Sequence, residues 1–260
     1  MDIRKNAPIK AILFDMDGVL YIGDDAIEDA GKSVRDIRAT GFVIAGVTNT
    51  TTQPRRMIAE KLARLNIPIA QADIYTPAAL AVQTIANKSA KLYVRESLLE
   101  DFQGVHCSDN NPDFIVMGDI GGEGYPPEIL LEIFRFVMNG AKVLALHKNR
   151  FWQKPDGLHL DIGTFIASIE YATSTEAMIL GKPSSNFFLG VCAALDVKPT
   201  EALMIGDDIE SDIAGAHHAG LTTALVKTGK YRADFVAATG IKADIILPSV
   251  AALPQTLSQN

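Results

Sequence analysis

The sequence predicts an α/β protein built on a doubly wound parallel sheet, with a second α/β domain inserted into it. Three observations predict this. Short, largely apolar runs recur at residues 11–14, 42–47, 202–205, 222–226 and 244–247, each closed by a polar or glycine-containing turn. Runs without polar alternation are those of strands buried on both faces, the habit of parallel sheets. Helical patterns fill the gaps at 30–40, 53–65, 185–195 and 211–219, so both ends of the chain read as βαβ units. From about residue 91 to 177 the pattern is interrupted, and afterwards it resumes.

Each element follows from its residues. The run AILF at 11–14 stops at Asp15, and FVIAGV at 42–47 stops at the polar TNT that follows. In the interruption, LYVRE, DFIVMGD and KVLALHK are further strand candidates, 126–139 is a long helix candidate, and HKNRFWQKPDGLHLDIGTF is a polar stretch around a glycine turn. An inserted domain is the simplest account, because open α/β sheets bind ligands at the carboxyl ends of their strands, where an insertion can cover the site. The expected division is 1–85 with 178–260 for the core and 86–177 for the insertion.

At 260 residues, 48% hydrophobic and 21% charged, the chain can bury a sizeable core. Its net charge of -7 works against nucleic acid and anionic membrane as partners. No apolar run approaches the roughly 18 residues of a membrane span. The amino-terminal stretch has no signal-peptide core. Two cysteines, Cys107 and Cys192, build neither a disulfide framework nor a C-x-x-C pair, so the expectation is a reducing, cytoplasmic setting.

The chemistry gathers where strands end. ILFDMDG places Asp15 and Asp17 at the ligand edge of the sheet. Two neighbouring carboxylates stay ionised only if a cation or a shared proton relieves their repulsion. Magnesium is the natural remedy, since it takes oxygen ligands from one or two carboxylates together with substrate phosphate. LMIGDDIESD repeats the design with Asp207, Asp208 and Asp212. FVIAGVTNT ends in Thr48 and Asn49, expected just before a helix whose free N–H groups favour an anion. GKPSS presents Lys182 before the next helix, a fixed cation able to clamp a phosphate. Alone, each piece is an ordinary turn, helix cap or surface lysine; the ordered set is a magnesium and phosphate site.

In order, DMDG, VTNT, GKP and GDDIESD resemble the four motifs of the haloacid dehalogenase superfamily. Thirty residues separate Asp17 from Thr48 and 133 separate Thr48 from Lys182, the spacing of members with a class II cap between the second and third motifs. VTNTT, HKNRFWQKPDGL, EYAT, MIGDD and LVKTGKYR are similar to the type IIA subgroup, with NagD-type phosphatases as neighbours. The resemblance implies a Rossmann-like core with an inserted α/β class II cap, and a magnesium-dependent phosphatase acting on a small phosphate monoester, with pyrophosphate or a phosphoamidate within the same chemistry. It implies Asp15 as the nucleophile forming an aspartyl-phosphate and Asp17 as the acid and base. Magnesium falls to the Asp15 carboxylate, the Asp17 backbone carbonyl and Asp207, with Asp208 and Asp212 in the outer shell. Thr48, the backbone around Asn49, and Lys182 hold the phosphoryl oxygens. The resemblance also admits a homodimer through the cap. Dehalogenases of the family lack the second aspartate, so Asp17 argues against dehalogenation.

Other patterns carry less. DAGKSV looks like the end of a nucleotide-binding loop, but Ala26 stands where the first glycine is required. GDIGGEG reads as a flexible loop, and His217 with His218 as packed or surface residues. Substrate contacts are expected between residues 147 and 164, foremost His147, Asn149 and Arg150, with Lys148 and Trp152 beside them and Asp161 to Thr164 following the hairpin. A non-catalytic regulator that binds magnesium and phosphate, and a phosphotransferase passing the phosphoryl group to an alcohol, are the rival readings.

Overall fold

The computed structural model describes residues 8–122, 124–154 and 157–258. They form two compact units, one of the described residues up to Thr48, Arg55–Tyr75 and those from Lys182 onward, the other of Asn49–Pro54 and the described residues of Thr76–Gly181.

The first unit is built on a six-stranded sheet in the order Ile245–Leu247, Thr222–Val226, Ala202–Gly206, Ala11–Asp15, Val43–Val47, Ile74–Tyr75. Every neighbouring pair is parallel. All residues of the three strands Ala11–Asp15, Ala202–Gly206 and Thr222–Val226 are buried, which is why their sequences show no alternation. Ile12, Phe14, Leu203 and Ile205 share one core with Val34 and Ile37 of helix Ala30–Ala39 and with Ile58 and Leu62 of helix Arg55–Arg64. Each such side chain contributes about 1.5–3 kcal/mol on burial. Register aligns the strand ends: Phe14 lies opposite both Gly46 and Ile205, and Asp15 opposite Val47. The residues leaving these three strands therefore emerge side by side.

The second unit repeats the plan. Its sheet runs Met178–Ile179, Lys142–Ala145, Phe114–Met117, Ser89–Tyr93, His106–Cys107, again all parallel. Ile115 and Val143 pack on one face with Ile133 and Val137 of helix Pro127–Met138 and Ile166 and Ile169 of helix Ile162–Thr173. Val116 and Leu144 pack on the other with Ala78, Ala81 and Ile85 of helix Pro77–Ile85. A separate antiparallel hairpin pairs Phe151–Lys154 with Gly157–Leu160. The mixture of α and β elements with parallel sheets in both units is that of a Rossmann-like core carrying an inserted α/β domain.

Three expectations shift. The boundaries expected at 85/86 and 177/178 fall at 75/76 and 181/182, because helix Pro77–Ile85 buries its apolar face in the second unit and Met178–Ile179 adds a parallel strand there. The helix expected at 53–65 starts at Arg55, so residues 49–54 separate Thr48 from its first turn. The helix expected at 211–219 is a π-helical turn, Ile209–Ala214, leading into Gly215–His218. Among the described residues no helix is long and apolar enough to cross a membrane.

Candidate active site

Asp15 is the last residue of its strand, and it is buried. Immediately after it the chain turns tightly: the Met16 carbonyl accepts from Leu20 N at 2.8 Å, and Gly18 N donates to the Tyr21 carbonyl at 2.7 Å. Gly18 takes a positive φ of 88°, a conformation a side chain would strain. Asp17, between them, is exposed.

The neighbouring strand, Ala202–Gly206, and the turn that follows it bring in the other acids. Asp207 follows strand Ala202–Gly206 and is 1% exposed. Its Oδ2 accepts from the backbone N–H of Lys230 at 2.6 Å, while its Oδ1 is buried with no hydrogen-bond partner among the described residues. Gly18 and Gly229 press against this carboxylate, and a Cβ at either would collide with it. Asp208 accepts from Glu210 N at 3.1 Å and Ser211 N at 3.0 Å, capping the π-helical turn. That turn carries Asp212 back to the strand ends, where it is 1% exposed. Lys182, itself buried, donates to Asp15 Oδ1 at 2.7 Å and to Asp212 Oδ1 at 2.6 Å. Carboxylate oxygens of Asp15, Asp207 and Asp212 all lie within 4.8 Å of one another.

The charges do not balance. Three buried carboxylates face one ammonium, which leaves two negative charges, the amount a divalent cation cancels. Burial pushes Asp212 up to about 7, with the Asp15 charge adding to the rise and Lys182 opposing it. Burial likewise raises Asp15, against the pull of Lys182, and raises Asp207. Burial by itself would lower the Lys182 ammonium, but Asp15 and Asp212 outweigh it and hold it above its ordinary value. Asp208 differs: burial would raise it, yet the Ser211 N–H and Lys230 keep it below the usual carboxylate range. An orphaned carboxylate oxygen, an excess of two charges and an all-oxygen donor set fit a hard divalent ion such as magnesium.

The structure thus brings together Asp15, Lys182, Asp207, Asp208 and Asp212. Asp212, expected in an outer shell, stands in the carboxylate cluster itself, and the Asp17 carboxylate stands outside it. Thr48 follows Val47, the register partner of Asp15, and its N–H donates to the Tyr75 carbonyl at 3.1 Å. Thr48 and Asn49 do not cap the next helix, which begins at Arg55. Asn49 opens the segment that packs with the second unit.

Of the expected substrate residues, all in the second unit, His147 is buried while Asn149 and Arg150 are exposed. His147 lines a cavity of about 420 Å³ with Arg95, Asp119, Tyr125, Asp161 and Phe165. Its Nε2 lies 3.8 Å from Asp161 Oδ1, and burial lowers its pKa against the pull of Asp161 and Asp119. Arg95 pairs with Asp119 at 2.7 Å. The Trp152 side chain lies outside the described residues. Sequence reasoning missed Gly229, the Lys230 N–H and the Arg95–Asp119 pair. LVKTGKYR contains the first two, but a glycine's crowding and a backbone donor leave no mark in residue type.

Comparison with known proteins decides the family. Residues 12–105 match the haloacid dehalogenase-like hydrolase model and residues 179–253 the HAD-hydrolase-like model. Haloacid dehalogenase-like hydrolase domain-containing protein 2 of Bos taurus is 38% identical over 227 residues, 86% of each chain. The chain is a haloacid dehalogenase-like hydrolase. The phospholysine phosphohistidine inorganic pyrophosphate phosphatase of Xenopus laevis is 36% identical over 233 residues, covering 86% of this chain and 85% of that one. NagD from E. coli K-12 superposes with a TM-score of 0.80 over 94% of this chain and 98% of that one, at 25% identity. These likenesses put this hydrolase in the type IIA subgroup, with a Rossmann-like core and an inserted cap, and one of the relatives is named a phosphatase.

Proposed function

We propose that this hydrolase is a magnesium-dependent phosphatase that hydrolyses a small phosphate monoester through an aspartyl-phosphate on Asp15. The observation that carries the reading is the pairing of Asp15 with Lys182 beside the orphaned oxygen of Asp207. A buried carboxylate at a strand end, ringed by acids and one fixed cation, is organised for a phosphoryl group and a metal ion rather than for packing.

In the first step an Asp15 oxygen forms a bond to phosphorus as the bond to the leaving oxygen breaks, and Asp17 gives that oxygen a proton. In the second, water attacks the same phosphorus, Asp17 takes the water's proton, and the bond to Asp15 breaks to release phosphate. The exposure of Asp17 suits it to meet leaving group and water in turn. The Lys182 ammonium and the Thr48 hydroxyl hold phosphoryl oxygens as charge develops. The carboxylates of Asp15 and Asp207 with the Asp17 carbonyl would hold magnesium, and Asp212 would anchor Lys182 close by. Bound there, magnesium supplies neutralisation of the phosphoryl charge.

The test is phosphate release from p-nitrophenyl phosphate and a panel of phosphate esters, pyrophosphate and phosphoamidates, with magnesium and with chelator. Pyrophosphate and phosphoamidates belong on it because a relative's name contains them. Asp15→Asn, nearly isosteric but a poor nucleophile, is expected to lose at least a thousandfold in kcat while remaining folded. Near-wild-type hydrolysis by that variant would falsify the nucleophile assignment.

A further inference from the structure

Asp17 is exposed, so its direction depends on the backbone that carries it rather than on packing of its own side chain. That backbone is a closed turn. The Met16 carbonyl accepts from Val19, Leu20 and Tyr21 N–H groups at 3.3, 2.8 and 3.2 Å, and the Tyr21 carbonyl accepts from Gly18 N at 2.7 Å. Asp17 and Tyr21 also form an isolated β-bridge. Tyr21 therefore closes the loop on both sides of the acid.

What holds Tyr21 comes from another element. Tyr21 as a residue is 9% exposed and belongs to the core of the first unit, and the Lys61 Nζ sits 4.1 Å from its ring centroid. Lys61 stands on helix Arg55–Arg64, far along the chain. A cation over a partly desolvated aromatic face attracts more strongly than one in water. Lys61 also lies 3.7 Å from Asp24, at the end of the hairpin that Tyr21 begins, but Asp24 is 99% exposed and that pair adds little. Burial, with the Asp17 and Asp15 charges, pushes the Tyr21 phenol up to about 12, so Lys61 meets a neutral ring throughout the ordinary pH range.

We propose that Lys61 is a positioning residue for Asp17: by clamping the Tyr21 ring from helix Arg55–Arg64 it keeps the turn of residues 16–21 closed, and so governs the chemical step rather than substrate affinity. The proposal rests on the reading of Asp17 as acid and base. It assigns to a helical lysine outside the four motifs a share of the rate.

The experiment compares Lys61→Met, which keeps the stem and deletes the charge, with Lys61→Arg, which keeps a cation, and with Tyr21→Phe, which keeps the ring. Hydrolysis of p-nitrophenyl phosphate with magnesium is measured alongside amide hydrogen exchange at Gly18 and Tyr21. The Met variant is expected to lose about tenfold in kcat with KM within twofold, and to exchange those two amides about tenfold faster. The Arg and Phe variants are expected within threefold of wild type in both measurements. An unchanged kcat in the Met variant, an equal loss in the Arg variant, or a rise in KM alone would overturn the proposal. If the wild type hydrolyses nothing, the acid–base reading is what fails, and hydrogen exchange still judges the clamp: unchanged exchange in the Met variant defeats it, and faster exchange in the Met variant with wild-type exchange in the Arg variant upholds it.

Discussion

Replacing Lys182 by methionine removes a charge while nearly keeping the volume, and the structure sets both the size and the pH dependence of the loss. Lys182 donates at 2.7 and 2.6 Å to Asp15 and Asp212, with side-chain exposures of 4% for the lysine, 11% for Asp15 and 1% for Asp212. Breaking a buried pair from one side strands the remaining charge and costs about 3–5 kcal/mol. Protonation can relieve that cost. Asp212 already rises from 3.8 to about 7, so in the metal-free protein the folded state holds a proton that the unfolded chain gives up. A raised carboxylate contributes its full stability below pH 4 and loses it as pH climbs towards 7, on the order of 4 kcal/mol for this rise. Without the ammonium, both carboxyls are pushed higher still. The deficit of Lys182→Met against wild type is therefore about 3–5 kcal/mol at pH 8 and markedly smaller at pH 5. Urea denaturation in chelating buffer at the two pH values measures it, and adding Asp212→Asn to the variant recovers part of the loss at pH 8. A deficit equal at pH 5 and 8, or none at pH 8, would refute the account of Lys182 as the cation compensating two buried acids.

Two further outcomes are expected. Gly229→Ala places a methyl group into the Asp207 carboxylate from a φ of 60°. Backbone strain of about 1–2 kcal/mol and disturbance of the Lys230 hydrogen bond, worth about 1.5–3 kcal/mol, together predict a loss of about 3 kcal/mol and at least tenfold weaker magnesium binding by calorimetry. Gly23→Ala is the control, since Gly23 has a similar φ of 56° but a Cβ there would meet nothing within 4 Å among the described residues; indistinguishable behaviour of the two variants would dispose of the crowding argument. His147, whose pKa burial lowers, resists the charge that the unfolded chain accepts. Stability attached to it is complete above pH 6.5 and lost as pH falls from there towards its lowered value, so thermal unfolding from pH 8 to 5 should decline less steeply in His147→Gln, and parallel curves would count against it.

The strands and their ends were legible in the sequence because a parallel strand buried on both faces must be apolar throughout, so AILF, FVIAGV and ALMI declare both position and stopping point. Asp15 and Thr48 followed from that, being the residues at which such runs stop, and Asp207 stands one glycine beyond the third. Lys182 was legible as a candidate from GKPSS, but its pairing with Asp15 and Asp212 was not: Asp15 is 167 residues away in sequence and Asp212 is 30, and only folding places two distant carboxylates against one ammonium. The resemblance puts Asp212 in an outer shell, and residue type alone does not say how near it comes to Asp15 and Asp207; the π-helical turn, started by the Asp208 cap, brings its carboxylate within 4.8 Å of both. The boundary at 75/76 escaped for a related reason, since the apolar face of helix Pro77–Ile85 suits either sheet and the choice belongs to its partners Val116 and Leu144. What local pattern determines is where an element starts, stops and turns its greasy side. Which distant groups then share a proton, a cation or a crowded carboxylate is a property of contact, and tertiary structure alone decided it.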